Sequence, residues 1–223
     1  MKPFLPIMLA LTTGTAAWAQ ANPQTTYARA YYLKTKPGKA AEHREFNIKL
    51  APKGAAAIIG NGRATAYANL RRVFPASNEV GHDVLYFYVS DKPPQLDAPS
   101  DGVFDRAIGM SPTESLAKRA SMSDLVKMEI WTNVYRHGPL NAGDFVRIDS
   151  LDPPEGKQAE FLTYQREYEG KMRETLVKKG PLSGAQMWSL AFTPEMAPYN
   201  YISMAVRKDS ESLFQSFGSQ TKT

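Results

Sequence analysis

The sequence contains no cysteine. Disulfides, thiolate metal sites and thiol nucleophiles are therefore excluded. Histidine is nearly as scarce: His43, His82 and His137 are the whole set. They show no HExxH or paired spacing, so neither a metal site nor a haem ligand is signalled, and no cofactor is expected. A GxSxG elbow and a phosphate-cradling glycine loop are also missing; the GNG at 60–62 reads as a turn. Basic residues outnumber acidic ones, 27 to 22. They are dispersed as short pairs, such as Arg71-Arg72, Lys118-Arg119 and Lys178-Lys179. Nucleic-acid binding needs basic residues gathered on one face, so no nucleic-acid partner is expected.

Long apolar runs are lacking too. The best one, Phe4 to Ala17, is interrupted by Thr12, Thr13 and Thr15. It is shorter than the ~20 residues a membrane-spanning helix needs. Lys2 precedes it, and the small residues Ala17, Ala19 and Ala21 follow. That order is the pattern of a secretory signal peptide over residues 1–21. The expectation is a mature chain without a transmembrane segment, working in the periplasm or as a secreted protein.

What the chain does have is an echo. KTKPGKAAEHREF at 34–46 is answered by DSLDPPEGKQAEF at 149–161. Each passes from an extended run through Pro and Gly into a helical pattern. Tyr27 to Thr35 reads as a strand, and His43, Phe46, Asn47 and Leu50 then share a helical face. Arg63 to Phe74 and Asp83 to Ser90 are two more strands. Phe104 to Ser121 is helical, with Ser111, Pro112 and Glu114 forming a capping box. Asp124 to His137 is a fourth strand, with Met128, Ile130, Thr132 and Val134 on one face and Glu129, Trp131, Asn133 and Tyr135 on the other.

The order then restarts. Asp144 to Leu151 is a strand, and Gln158 to Lys179 is a long helix carrying Phe161, Tyr164, Tyr168, Met172 and Leu176 at helical spacing. Gln186 to Phe192 and Tyr199 to Arg207 are strands, and Asp209 to Phe217 is a short final helix. Gly156 falls 118 residues after Gly38, Pro194 falls 119 after Pro75, and Lys208 falls 116 after Lys92. This is an internal duplication: one repeat over 27–137 and a second over 144–217. The second has no clear fourth strand. Either its sheet has three strands, or a partner chain supplies the missing one through an open edge, as in a homodimer.

A strand–helix–strand–strand–helix–strand unit is the split βαβ, ferredoxin-like arrangement. It leaves one sheet face bare. DVLYFYVS is apolar on both faces, so that bare face would be unfavourable in water at ~25 cal/mol per Å². The expected fold is α+β: two ferredoxin-like repeats packed sheet to sheet, each covering the other.

The stretches FDRAIGMSPTESLAKRASMSDLVKMEIWTNVY and FVRIDSLDPPEGKQAEFLTYQREYEGKMRETLVKKGPLSGAQMWSLAF, with YNYISMAV, resemble the dimeric α+β barrel superfamily. Its members include antibiotic-biosynthesis-monooxygenase-like, EthD-like, NIPSNAP-like and chlorite-dismutase-like proteins. The similarity is greatest to exported bacterial members and spans most of residues 27–207. It implies a pseudo-dimeric barrel, and a cofactor-independent oxygenase or isomerase activity as one reading.

Two sets of residues are candidates for a site. The first is aromatic: Tyr164, Tyr168 and Met172 with Phe161 on the long helix, Trp188 on the next strand and Tyr201 beyond it. These could line a cavity for a small apolar or aromatic ligand, or simply form a core. The second is polar. Arg29 and Arg147 occupy matching positions in the two first strands, with Glu129 and Asp149 also on strands. Inter-sheet ion pairs and an anionic ligand both account for paired arginines. Three functions stay open: an exported binding protein, an enzyme with His43 or Glu129 as its base, and an assembly module without a ligand.

Overall fold

The structure is a computed structural model and describes residues 7–11, 25–74, 81–94, 102–193 and 197–210. The side chains of 7–11 and 74 are outside the description. So are residues 211–217 of the final expected helix and most of the leader.

Each repeat opens with the same turn. Gly38 has φ 73° and Gly156 has φ 76°, in the left-handed region that favours glycine. The next residues, Lys39 and Lys157, have nearly identical backbone angles. Lys39 N–H donates to the carbonyl of Lys36 and Lys157 N–H to that of Pro154, both at 3.0 Å. The echo in sequence is thus an echo in geometry: a glycine-dependent turn that reverses the chain from strand into helix.

The first repeat runs β2 (Tyr27–Thr35), α1 (Ala40–Lys49), α2 (Ala51–Gly60), β3 (Ala66–Phe74), β4 (Val84–Ser90), α3 (Val103–Ala107), α4 (Pro112–Met122) and β5 (Ser123–His137). The capping box forms at α4: the Ser111 hydroxyl accepts from the Glu114 N–H, and the Glu114 carboxylate accepts from the Ser111 N–H. The second repeat runs β6 (Phe145–Leu151), α5 (Gln158–Tyr164), one π-helical turn (Gln165–Glu169), α6 (Gly170–Lys179), β7 (Gly184–Phe192) and β8 (Tyr201–Arg207). An additional strand, β1 (Ile7–Leu11), precedes both.

The strands close into one antiparallel barrel in the order β1-β3-β4-β2-β5-β7-β8-β6. The two sheets face each other across a shared interior and are stitched at their edges by β5 and β1. Ala28, Ala30, Phe87 and Trp131 from the first repeat meet Val146, Trp188, Ile202 and Met204 from the second in one buried cluster. Phe87 and Trp188 pack edge to face across the barrel, with ring centroids 5.1 Å apart. This is the mutual covering that burial energetics demand. The helices lie outside, over the outer faces of the strands.

Two departures from the sequence reading have local causes. The second repeat's sheet is not left at three strands: β1 pairs antiparallel to both β6 and β3 and fills the fourth place. With β1 seated, the closed barrel presents no free edge for a second copy among the described residues. In β5 the strict alternation fails. A bulge between Asn133 and Tyr135 puts one extra residue opposite β7. Tyr135 consequently joins Met187 and Tyr201 on the helix side, while Trp131 remains inside the barrel.

Candidate functional site

The outer face of the first repeat concentrates phenols. Period two in β2, β3 and β4 sends Ala28, Ala30, Ala66, Ala68, Leu85 and Phe87 inward. The alternate positions carry Arg29, Tyr31, Tyr67, Asn69, Tyr86 and Tyr88 outward, beneath α1 and α2. Register brings them together: Tyr88 lies opposite Arg29 on one side and Tyr67 on the other, and Tyr86 lies opposite Tyr31 and Asn69. The Tyr67 and Tyr88 rings are 4.8 Å apart and tilted, and Tyr31 meets Tyr88 edge-on at 6.3 Å.

Polar groups orient the cluster. Arg29 Nη1 donates to the Tyr31 hydroxyl at 3.1 Å, and the Tyr86 hydroxyl donates to Asn47 Oδ1 on α1. Burial pushes Tyr67, Tyr86 and Tyr88 well above the usual phenol range, so all three stay protonated donors. The Tyr67 hydroxyl and both amide atoms of Asn69 are buried without a well-formed hydrogen bond, and the nearest partner each has is the other. Leaving such groups unpaired costs roughly 1–3 kcal/mol each.

Beside this layer, His43 is a structural residue. Thr35 gives its hydroxyl proton to Asp83 Oδ1 at 3.1 Å, and His43 Nδ1 meets the same hydroxyl at 2.8 Å. Burial lowers the His43 pKa, so it is neutral at pH 7.

A second polar cluster lies inside the barrel. Glu129 is fully buried opposite Ala30, whose small side chain leaves it room. Its Oε1 accepts from Lys127 Nζ and from the Tyr199 hydroxyl, each at 2.8 Å. The Lys127 ammonium also sits 4.3 Å from the Tyr32 ring centroid and 4.7 Å from that of Tyr199. Trp131 stacks parallel to Tyr199, and His82 packs edge-on against Tyr32. Burial, then the Glu129 charge, raises the Tyr32 and Tyr199 phenols far above their ordinary range. Burial and the neighbouring Lys127 and Arg72 charges hold His82 down to about 4. Oε2 of Glu129 is buried without a well-formed hydrogen bond.

The aromatic candidates of the second repeat do not come together. Tyr164, Tyr168 and Met172 are exposed, and the two tyrosines stack on each other at the surface. Trp188 points into the barrel and Tyr201 points outward to Phe161, so they lie on opposite faces of the sheet. The cause is the helix phase. Phe161, Leu162, Gln165, Gly170, Arg173, Leu176 and Val177 form the less exposed side. The step from Gln165 to Gly170 is five residues, because a π turn interrupts the helix. Gly170 suits the close approach there: a Cβ would lie 3.0 Å from the Gln165 carbonyl and 3.1 Å from the Tyr135 ring.

Arg29 and Arg147 do occupy matching outward positions, but each is engaged within its own repeat. Arg147 Nε pairs with Asp149 Oδ1 at 3.0 Å on the same strand, so the pairing is not between sheets. Arg147 and Arg173 lie near Arg207, and Arg173 pairs with Glu169 at 2.8 Å. The tyrosines at 31, 67, 86 and 88 were visible as alternate aromatics in YARAYYLKT, ATAYANL and VLYFYVS. Their convergence with Asn47 and Asn69 required strand register.

No protein-family model matches the sequence, and no curated protein matches it. Solved structures do. A "putative monooxygenase" from Fusobacterium nucleatum superposes with a TM-score of 0.55 at 10% identity, covering 86% of this chain and 80% of that one. An anthrone oxidase-like protein gives a TM-score of 0.49 at 10% identity, covering 89% and 81%. The fold is that of the dimeric α+β barrel. In this barrel, one polypeptide supplies both halves, and the phenol layer belongs to the half whose four strands are contiguous in sequence.

Proposed function

We propose that this chain is an exported protein that binds a small aromatic compound between α1/α2 and the sheet of its first repeat. The observation that carries the reading is the buried Tyr67 hydroxyl and Asn69 amide, adjacent to each other without a well-formed hydrogen bond and set among Tyr31, Tyr86 and Tyr88. The aromatic rings supply apolar contact area, and the Tyr67 hydroxyl and Asn69 amide exchange their loose mutual contact for bonds to one hydroxyl or carbonyl of the ligand. Calorimetric titration with 1-naphthol tests it. Asn69→Leu and Tyr67→Phe should each weaken binding about tenfold, the equivalent of one hydrogen bond of ~1.4 kcal/mol. Equal affinity in wild type and both variants would refute the site.

One observation favours a second reading. Glu129 presents a buried carboxylate oxygen without a well-formed hydrogen bond, beside an ammonium. That combination suits proton removal from an acidic carbon. The C–H bond breaks, its proton goes to Oε2, and the electron pair delocalises into the substrate as an anion facing Lys127. This is the opening step of an isomerase or a cofactor-independent oxygenase, and the fold likeness to a "putative monooxygenase" accords with it. Deuterium exchange at the acidic carbon of anthrone, followed by NMR, should be accelerated by the protein and lost in Glu129→Gln. Equal exchange with the variant would remove the reading.

A further inference from the structure

The eight strands of the barrel differ in origin. β5 is the fourth strand of the first repeat, and it bridges β2 of its own half to β7 of the other. The symmetry-related place in the second repeat lies between β6 and β3. Residues 145–207 supply only three strands, and Ile7–Leu11 takes that place. It runs antiparallel to both neighbours, as β5 does to its own.

The seam reads its occupant by register. Ile7 falls opposite Ile148 and Leu9 opposite Val146 on β6, while Leu11 falls opposite Leu70 on β3. Ile148, Val146 and Leu70 all belong to the buried barrel interior. The intervening positions of the strand, Met8 and Ala10, fall opposite Arg147 and Arg71 on the outer face. On β3, Leu9 falls opposite Arg72, after a register shift between Met8 and Leu9. The slot therefore offers two rows of backbone N–H and C=O groups, with apolar interior positions at Ile148 and Val146 along β6 and at Leu70 on β3. Chain that fills it satisfies two edges at once and completes the interior.

We propose that the β3–β6 seam is a strand-acceptor site. Its resident is the chain's own apolar segment Ile7–Leu11, and its ligand class is an extended peptide with apolar residues at alternate positions. The resident lies within the expected leader, so loss of residues 1–21 vacates the slot and opens it to such a strand in trans. Along β6, where the register is regular, a one-residue slip would present the wrong face to the interior, so that edge selects for phase as well as composition.

The absence of native cysteine makes the test direct. In the full chain, Leu9→Cys combined with Val146→Cys should form a disulfide under mild oxidation, whereas Leu9→Cys with Ala205→Cys should not. A full chain carrying Leu9→Pro should release the resident, because proline cannot donate within a strand paired on both sides. A labelled peptide of residues 5–13 should then bind that chain at least tenfold more tightly than the unsubstituted chain. The same peptide with Leu9→Pro should not bind. A missing Leu9–Val146 disulfide would overturn the proposal. So would failure of the peptide to bind the Leu9→Pro chain, or pairing of two Leu9→Pro chains through these edges with no peptide bound. The readouts are independent of 1-naphthol binding, so this site and the phenol layer stand or fall separately.

Discussion

In the first repeat the helix layer rests on a sheet face of Tyr31, Tyr67, Tyr86 and Tyr88. In the second it rests on Tyr135, Met187, Tyr201, Ala185 and Ala205, with Ser203 and Arg207 on the same face. The two halves share strand order, the glycine turn before the first helix and a common interior. They differ in what their outer faces are made of and in how their helices are phased. The α1 helix turns His43 and Asn47 to its sheet and buries Phe46 against Ala51, Ile108 and Met122 of the neighbouring helices. The α5 helix buries no residue fully and ends on the exposed Tyr164, and the π turn that follows leaves Tyr168 exposed too. A shared topology thus leaves the chemistry of each half to the outward residues of its strands.

The harshest way to break the comparison is to cut the contact that both halves share. Phe87→Ala removes the ring that meets Trp188 across the barrel. It should cost about 3–5 kcal/mol, read as loss of the denaturant midpoint. A cost below 1 kcal/mol would mean that the halves do not cover each other.

Acid should strain the first half through His82. Its folded pKa of about 4 lies below the ordinary value of 6.5. The unfolded chain therefore binds the extra proton first as pH falls. Stability is full above pH 6.5 and declines toward pH 4, by about 3 kcal/mol over the window. His43 and His137 are shifted in the same direction. His82→Asn should flatten the pH profile of urea unfolding; an unchanged slope would show that His82 is not the sensor.

Helix seating gives a smaller contrast. A Cβ at Gly54 would lie 2.3 Å from the Phe104 ring, while one at Gly170 would meet its neighbours at 3.0 Å or more. Gly54→Ala should therefore destabilise by about 1–3 kcal/mol, and Gly170→Ala by less. Thermal melts of the two variants, ranked the other way, would reverse this account of the helix layers. The smallest effect belongs to the surface tyrosines of the second half. Tyr164→Ala and Tyr168→Ala should each move stability by within about 0.5 kcal/mol and leave 1-naphthol binding unchanged. Weakened binding would return the site to the second repeat.

Strand positions, the capping box at Ser111 and the duplication were legible because each rests on local pattern: period two, a cap spacing and a repeated turn. The face assignment of β5 was legible up to Asn133 and failed after it. A bulge leaves no mark in hydrophobic periodicity when both neighbours are apolar or aromatic. The long helix misled for a similar reason. Phe161, Tyr164, Tyr168, Met172 and Leu176 make a regular stripe on paper. The π turn, held by the close approach of Gly170 to Tyr135, puts Gln165, Gly170 and Arg173 against the sheet instead.

By itself, the amino-acid order determined that this chain is a duplicated α+β barrel without thiol chemistry. Backbone preferences and alternation act over a few residues, and the sequence displays them directly. Tertiary structure alone decided that the phenols of three separate strands meet beneath one helix pair, that Glu129 enters the barrel opposite an alanine, and that Ile7–Leu11 stands as the eighth strand. Those outcomes depend on register between distant segments. Register is set by how all the strands together bury their apolar faces and satisfy their backbone groups, so no single stretch of the sequence contains it.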